Sequence, residues 1–246
     1  MNGRIGLIAA VPQELKQLLT HKTASRWRRS LSEGGLEVWE YPHREGCWVA
    51  AWAGMGQAAV SRAFSAAERT GALNCVATVG FAGATDTAIH RGVYGASQVV
   101  DVKTGERYRP GHWDDRWPVL ASVPAVADAI EKRRLREAYS AGLVDMEAAT
   151  IARLAESRGI PFYCFKAVSD TADETLPDLS GFIGSDGQLR MGRFIALSML
   201  RPSTWPGLIS LAQSSKAAAA NLAESIYDWI DDRAYVRKEA ESENDR

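Results

Sequence analysis

Asn74-Cys75-Val76-Ala77-Thr78-Val79 is a short apolar run that ends in Gly80-Phe81-Ala82-Gly83. The run is too short for a buried helix and rich in β-branched residues, so it reads as a strand buried on both faces that enters a small-residue turn. Upstream, a helix is expected from about Ala58 to Arg69, stopping at Gly71. Before it, Trp48 to Ala53 reads as another apolar strand and runs into Gly54-Met55-Gly56. Arg4 to Ala10 reads as the first buried strand, with Pro12 and Glu14 in the first turn of the helix that follows. Glu37 to Tyr41 fits an edge strand.

Downstream of the opening stretch, Val93 to Val102 is strand-like, and residues 104–118, rich in Gly, Pro, Arg and Trp, read as a loop. Val144 to Arg158 is expected to be a helix, with Ile151, Leu154 and Ala155 on one face and Gly159 and Pro161 ending it. Phe162 to Val168 reads as a strand that delivers Ser169-Asp170 to its carboxyl end, and a last helix runs from about Ala217 to Asp231. Strands alternating with helices predict a three-layer α/β/α fold around a central, largely parallel mixed sheet. No internal repeat or linker divides the chain, so one domain is expected over residues 1–233, followed by a charged, frayed tail over 234–246. In such sheets ligands bind beyond the carboxyl ends of the strands. That rule selects Glu14, Gly54 to Gly56, Gly80 to Gly83, and Ser169-Asp170.

Composition narrows the function. Hydrophobic residues make up 46% and charged residues 24% of the 246, with a net charge of −1. That balance is globular and provides no global field to recruit nucleic acid or an anionic membrane. Ile5 to Val11 faintly resembles a leader but lacks a small-x-small cleavage site, and no apolar run approaches the ~20 residues of a membrane span. The three cysteines, Cys47, Cys75 and Cys164, are far apart and form no CxxC, so neither a zinc site nor a disulfide framework is expected and a cytoplasmic setting fits.

Most motifs are weak. Gly54-Met55-Gly56-Gln57-Ala58-Ala59 matches the G-x-G-x-x-A pattern of a dinucleotide-binding turn. It does not follow the first strand, and the next strand ends at Val79-Gly80 where a ribose-binding acid belongs. His21, His43, His90 and His112 form no H-x-x-x-H pair, so no metal is expected, and no G-x-S-x-G elbow exists. The informative constellation is acidic: Glu14, Glu147 in the first turn of its helix, and Asp170 at a strand end. Singly, each fits a cap or a helix-dipole partner. Together they fall on the ligand-binding edge, where neighbouring carboxylates acquire shifted pKa values suited to acid and base work.

Four segments carry a family likeness. Val144-Asp145-Met146-Glu147-Ala148 resembles the V-E-M-E-A signature of the nucleoside phosphorylase and nucleosidase superfamily, and Lys166-Ala167-Val168-Ser169-Asp170-Thr171-Ala172-Asp173 its R-x-I-S-D-x-A-D segment. Thr78 to Gly83 resembles the family's T-G-S-A-G-G turn, and Trp52 to Gly56 its S-G-I-G turn, all in the family's order. The resemblance implies a nucleoside phosphorylase-like fold and cleavage of a purine N-glycosidic bond, with no cofactor. It implies that Asp170 protonates N7 of the departing purine with Ser169 orienting it, that Met146 packs on the ribose, and that Glu147 takes the ribose hydroxyls. Gly54, Gly80, Phe81, Ala82 and Gly83 would line the substrate, and Glu14 matches the glutamate that activates water in the methylthioadenosine/S-adenosylhomocysteine nucleosidases. These residue types suit the chemistry, because glycosidic cleavage builds positive charge on the sugar and negative charge on the base.

Phosphorylase relatives carry arginine where Glu14 stands, and a carboxylate there repels phosphate, so hydrolysis is favoured. Phosphorolysis, with inorganic phosphate as co-substrate, is the alternative. A non-catalytic nucleoside-binding role is the third reading, prompted by Phe81 in place of the family's serine and by the lack of a base-stacking G-D-x-F-I segment; Ser122 to Ala127 is the nearest stretch. Thr175 to Ser214 is long for a compact nucleosidase and resembles the hopanoid-associated phosphorylase-like branch, which implies adenine release from adenosylhopane. There Phe194 to Leu200 and Trp205 would wall in a lipid substituent, or else serve as core and subunit contact. The expected partners are a small-molecule nucleoside and further copies of the chain in a homodimer or higher oligomer, with no nucleic acid and no stable membrane insertion.

Overall fold

The structure is a computed structural model that describes residues 3–20, 26–43, 46–112, 114–174 and 216–229. Its elements run β1 (Gly3–Ala9), α1 (Pro12–Thr20), β2 (Arg28–Glu33), β3 (Leu36–His43), β4 (Gly46–Trp52), α2 (Gln57–Arg69) and β5 (Cys75–Ala84). There follow β6 (Val93–Tyr94), β7 (Gln98–Asp101), β8 (Arg107–Tyr108), β9 (Val119–Ser122), α3 (Ala129–Tyr139), β10 (Ala141–Asp145), α4 (Ala148–Glu156) and β11 (Phe162–Asp170). Residues 216–229 form a further helix, α5.

The described strands make one mixed sheet in the order β2-β3-β4-β1-β5-β10-β9-β7-β8, with β11 on the free side of β5 and β6 beyond it. Alternate residues of the inner strands pack on opposite faces, as a two-sided sheet requires. Val49 and Ala51 of β4 join Phe64 of α2 and Ile151 of α4 in one core. Trp48, Ala50 and Trp52 join Leu15 and Leu18 of α1 and Leu222 and Ile226 of α5 in the other. A third, smaller core lies where Leu135 of α3 meets Ala121 and Val144. The α/β/α layering expected from the sequence is the one observed. No helix among the described residues is long and apolar enough to cross a membrane.

One strand positions everything else. β5 pairs in parallel with β1 only as far as Thr78, through Ile8. On the same side it pairs again, antiparallel to β10, at Gly83 and Ala84. Its opposite side is covered by β11 from Val76 to Gly83. The sheet therefore forks above Thr78: β1 ends, β10 has not yet begun, and the backbone of residues 79–82 faces the gap.

Three sequence expectations change. Gly80 to Gly83, expected as a turn, is the carboxyl half of β5, because β11 pairs along its whole length. Val144 and Asp145, expected in a helix, belong to β10, held by β9 and β5, and α4 begins only after Glu147, which is its N-cap rather than a first-turn residue. Glu37 to Tyr41 is not an edge: β3 lies between β4 and β2, and β2, with its charged and mostly exposed RRSLSE, takes the outside as an edge strand should. Thr175 to Ser214, including Phe194 to Leu200 and Trp205, and the tail 234–246 lie outside the described residues.

α5 docks by apolar packing. Leu222 and Ile226 have no exposed surface, the Tyr227 hydroxyl donates to the Leu18 carbonyl at 2.9 Å, and the Trp229 ring lies 5.1 Å from Tyr163 and 5.0 Å from Phe165. Leu222→Ala leaves a cavity under the helix and should cost about 2–5 kcal/mol of folding stability. Urea unfolding of the two proteins measures this; a loss below about 1 kcal/mol means that α5 contributes little to the core.

Candidate active site at the fork of the sheet

The fork leaves backbone N–H groups without a strand partner, and Glu14 supplies the acceptor. It stands in the first turn of α1, just past the end of β1. Its Oε2 accepts from the amides of Ala10 at 2.8 Å and Val11 at 3.0 Å, and its Oε1 accepts from Phe81 at 2.8 Å. A Cβ built on Gly80 would lie 2.5 Å from Glu14 Oε1, so β5 must be bare here to admit the carboxylate. That is why glycine stands at a position where no positive φ demands it. The Phe81 side chain is half-buried against the α1/α5 core, and its backbone N–H is what meets the site.

Opposite Gly80 on β11 is Lys166, 2% exposed within the apolar run Phe162 to Val168. Its Nζ lies 2.8 Å from Asp145 Oδ2 and donates to Thr78 Oγ1 at 3.3 Å. Asp145 is fixed in turn by the Ser122 hydroxyl and by the Ala148 amide at 2.9 Å, the first amide of α4. Burial alone would pull the Lys166 ammonium down, but Asp145, Cys164, Glu147 and Glu14 outweigh it and leave the group raised. For Glu14, burial pushes the carboxyl up while Lys166 and the three amides pull it back, and the net shift is upward.

Glu147 closes the cluster. Its Oε1 accepts from the Gly56 amide at 2.7 Å, which ties the β10–α4 junction to the β4–α2 turn. Burial first, and then the charge of Asp145, pushes its carboxyl up to about 8, against Lys166 and the Gly56 amide. Met146, half-buried, sits beside it in the same bend. Gly54 is buried, at φ +116°, a conformation open to glycine, and donates its amide to Ala10 O at 2.9 Å.

Asp170 ends β11 and is 3% exposed. A β-bulge at Ser169 shifts the register so that Asp170, not Ser169, faces Gly83; such bulges re-aim side chains beside functional sites. The Ser169 hydroxyl donates to Asp170 Oδ1 at 2.7 Å and weakly, at 3.4 Å, to Ala82 O. On the other side, Lys132 Nζ is 2.6 Å from Asp170 Oδ2. A Cβ on Gly83 would lie 2.8 Å from that oxygen. Glu14 and Glu147 thus gather around Lys166, whereas Asp170 forms its own group with Lys132 and Ser169 one step further along β5. Trp205 lies outside the described residues.

Sequence reasoning gave no role to Lys166, Asp145 or Lys132. A lysine inside the apolar run Phe162 to Val168 was a readable signal, since buried lysines are rare unless paired. Lys132 hides in the charged segment Glu131-Lys132-Arg133-Arg134, and only its spacing of three from Leu135 puts it on the buried face.

Comparison with known proteins adds the family-level finding. Residues 88–196 match the family model described as the phosphorylase superfamily. The chain resembles a mutant of a Helicobacter pylori 5′-methylthioadenosine/S-adenosylhomocysteine nucleosidase solved with 5′-methylthioadenosine in its active site, at TM-score 0.70 and 15% identity over 94% of this chain and 100% of that one. Helicobacter pylori futalosine hydrolase gives 0.68 and 16% over 94% and 99%, and a putative 5′-methylthioadenosine/S-adenosylhomocysteine nucleosidase from Francisella philomiragia gives 0.69 and 14% over 94% and 99%. These likenesses establish the fold. No curated protein matches the sequence.

The raised carboxyl of Glu147 links folding to pH. An unfolded glutamate titrates near 4.5 and the folded one near 8. The stability that goes with the protonated form is therefore complete below about pH 4.5 and is lost as pH rises through about 8. Between pH 5.5 and 7.5 this group should remove up to about 1.4 kcal/mol of stability per pH unit. Glu147→Gln should flatten the profile by that amount. Equal slopes in chemical unfolding of both proteins would show that Glu147 titrates normally.

Proposed function

We propose that the protein cleaves the N-glycosidic bond of a purine nucleoside by hydrolysis. The observation that carries this reading is the fork: Glu14 lies against Gly80 and Phe81 of β5, Asp170 lies against Gly83, and the buried Glu147, held by the Gly56 amide, joins Glu14 around Lys166. The match of residues 88–196 to the phosphorylase superfamily supports the reaction class.

The chemistry divides among the groups. As the bond breaks, positive charge develops on the sugar and the base takes the electron pair. Carboxylates held in a dry site favour that positive charge far more than they would in water. Glu147, anchored to the Gly56 amide through Oε1, offers its second oxygen to the ribose hydroxyls, with Met146 alongside. Asp170, oriented by Ser169, faces the base and passes to N7 the proton that it requires. Glu14 is held by three amides and takes the proton of the attacking water.

Water rather than phosphate is favoured because the amides of Ala10, Val11 and Phe81, which together could bind an anion, already hold Glu14. For the substrate, adenine as the base and a lipid-bearing 5′ position, as in adenosylhopane, are the finer reading, supported by the likeness of the long 175–214 segment to the hopanoid-associated branch.

Asp170→Asn should lower turnover by on the order of 10²-fold or more in a folded protein, the usual weight of acid–base help. Near-normal base release by that variant would remove Asp170 from the mechanism. Glu14→Gln should abolish turnover and cost about 1–3 kcal/mol of stability, because its amide NH2 must face at least one backbone N–H donor.

Base release from a panel of adenosine, methylthioadenosine and 5′-alkyl adenosines, with and without phosphate, tests the whole reading. The expected result is release without phosphate and a kcat/KM that rises with the 5′ chain. An obligatory phosphate that appears in the sugar product would establish phosphorolysis instead. A flat preference across the 5′ series would sink the lipid substrate.

A further inference from the structure

Lys132 has no part in the reaction as described so far, yet it is built into the site. It comes from the second turn of α3, whose N-cap Asp128 accepts from the Glu131 amide at 2.8 Å and whose Leu135 is wholly buried one turn on. Arg136, 3.2 Å from Asp86, ties the same helix to the segment after β5. So fixed, the Lys132 side chain is 4% exposed and donates to Asp170 Oδ2 at 2.6 Å and to the Thr171 carbonyl at 2.9 Å. β5 is bare under the pair: a Cβ on Gly83 would meet Asp170 Oδ2 at 2.8 Å and Lys132 Cε at 3.2 Å.

Stability alone does not explain such a pair. Desolvating two charges costs about as much as their attraction returns, and apolar replacements of like volume are often neutral or better. The pairing also bears on the acid. Lys132 Nζ donates to one oxygen of Asp170 at 2.6 Å and the Ser169 hydroxyl donates to the other, so both oxygens of the side chain act as acceptors. Of the two protons held against Asp170, the one on the Lys132 ammonium is far more acidic than the one on the Ser169 hydroxyl.

We infer that Lys132 is a positioning residue for glycosidic cleavage, supplying through Asp170 the proton that the leaving purine takes up; the inference rests on the nucleoside-cleaving reading above. In this step the C1′–N9 bond breaks and its electron pair goes to the base. The Lys132 ammonium gives a proton to Asp170 Oδ2, and the carboxyl so formed passes that proton to N7. Water forms the new C1′–O bond and loses a proton to Glu14. Lys132 then regains a proton from solvent and Glu14 releases one, so the cycle consumes one water and no net proton.

The test uses Lys132→Gln in the full chain, because glutamine keeps a hydrogen bond to Asp170 but has no acidic proton. The substrates are whichever of adenosine and inosine the wild type cleaves, and its N7-methyl counterpart, whose base leaves without being protonated. The expected result is a loss of kcat on the order of 10²-fold for the unmodified nucleoside with KM changed less than about threefold, and a loss below about threefold for the N7-methyl nucleoside. Equal losses on both substrates, or none on either, would overturn the inference. Should the glutamine variant not fold, Lys132→Arg answers the same question, since guanidinium keeps the charge and yields its proton far less readily. Should the wild type refuse the N7-methyl substrate, a cycle with Asp170→Asn decides. If Lys132 acts through Asp170, Lys132→Gln adds no loss to Asp170→Asn, and multiplied losses refute it. A wild type that releases no base from any nucleoside defeats the parent reading instead, a result distinguishable from failure of the Lys132 step alone.

Discussion

At Lys166 an ammonium group stands inside the sheet with almost no contact with water, and Asp145, Glu147 and Glu14 are arranged around it. Without that charge, burial would push the carboxyls of Glu14 and Glu147 further toward their neutral forms. With it, Asp145 is satisfied as an ion pair at 2.8 Å, and Glu147 remains raised to about 8. The cluster therefore holds more acid than cation. A second positive charge placed among these groups would relieve repulsion rather than add to it, which is the electrostatic condition that a cationic sugar requires of its surroundings.

The backbone explains why those side chains converge. β5 loses β1 above Thr78 and gains β10 only at Gly83, so its amides open into a gap at the carboxyl end of the sheet. A gap of that kind is where open α/β sheets place their ligands. Here it also needs an acceptor for the Phe81 amide, and Glu14 provides one. Gly80 and Gly83 are bare because Glu14 occupies the space at one and the Lys132–Asp170 pair at the other. The same two glycines that look like turn formers in sequence thus act as clearances in a continuous strand.

That difference marks what the sequence could and could not disclose. The buried strands β1, β4, β5 and β11 were legible because each is an apolar run of the right length between glycine or proline signals. The acidic triad of Glu14, Glu147 and Asp170 was legible because strand ends and helix starts locate the ligand edge. β10 was not, since Val144 and Asp145 become strand only through partners on β9 and β5 far away in sequence. β2 and α3 were missed for a different reason: RRSLSE and AIEKRRLREAY carry too few apolar residues to show a period, and their placement comes from tertiary pairing. Lys132 follows α3 into obscurity, because its burial is decided by where the helix lands.

Glu14 also bears on the choice between water and phosphate. Three amides converging on one point make an anion site, and in this chain the anion is a side chain tethered four residues or fewer from two of the three donors. Free phosphate would have to expel that carboxylate into a site already rich in negative charge, and it would compete against an intramolecular group at high effective concentration. Water pays no such penalty: it needs one acceptor for its proton and no cationic cradle. Under the proposed hydrolysis, the fork with its donors spent on Glu14 suits a neutral nucleophile, and the same carboxylate that closes the phosphate site would be the base that a water molecule needs.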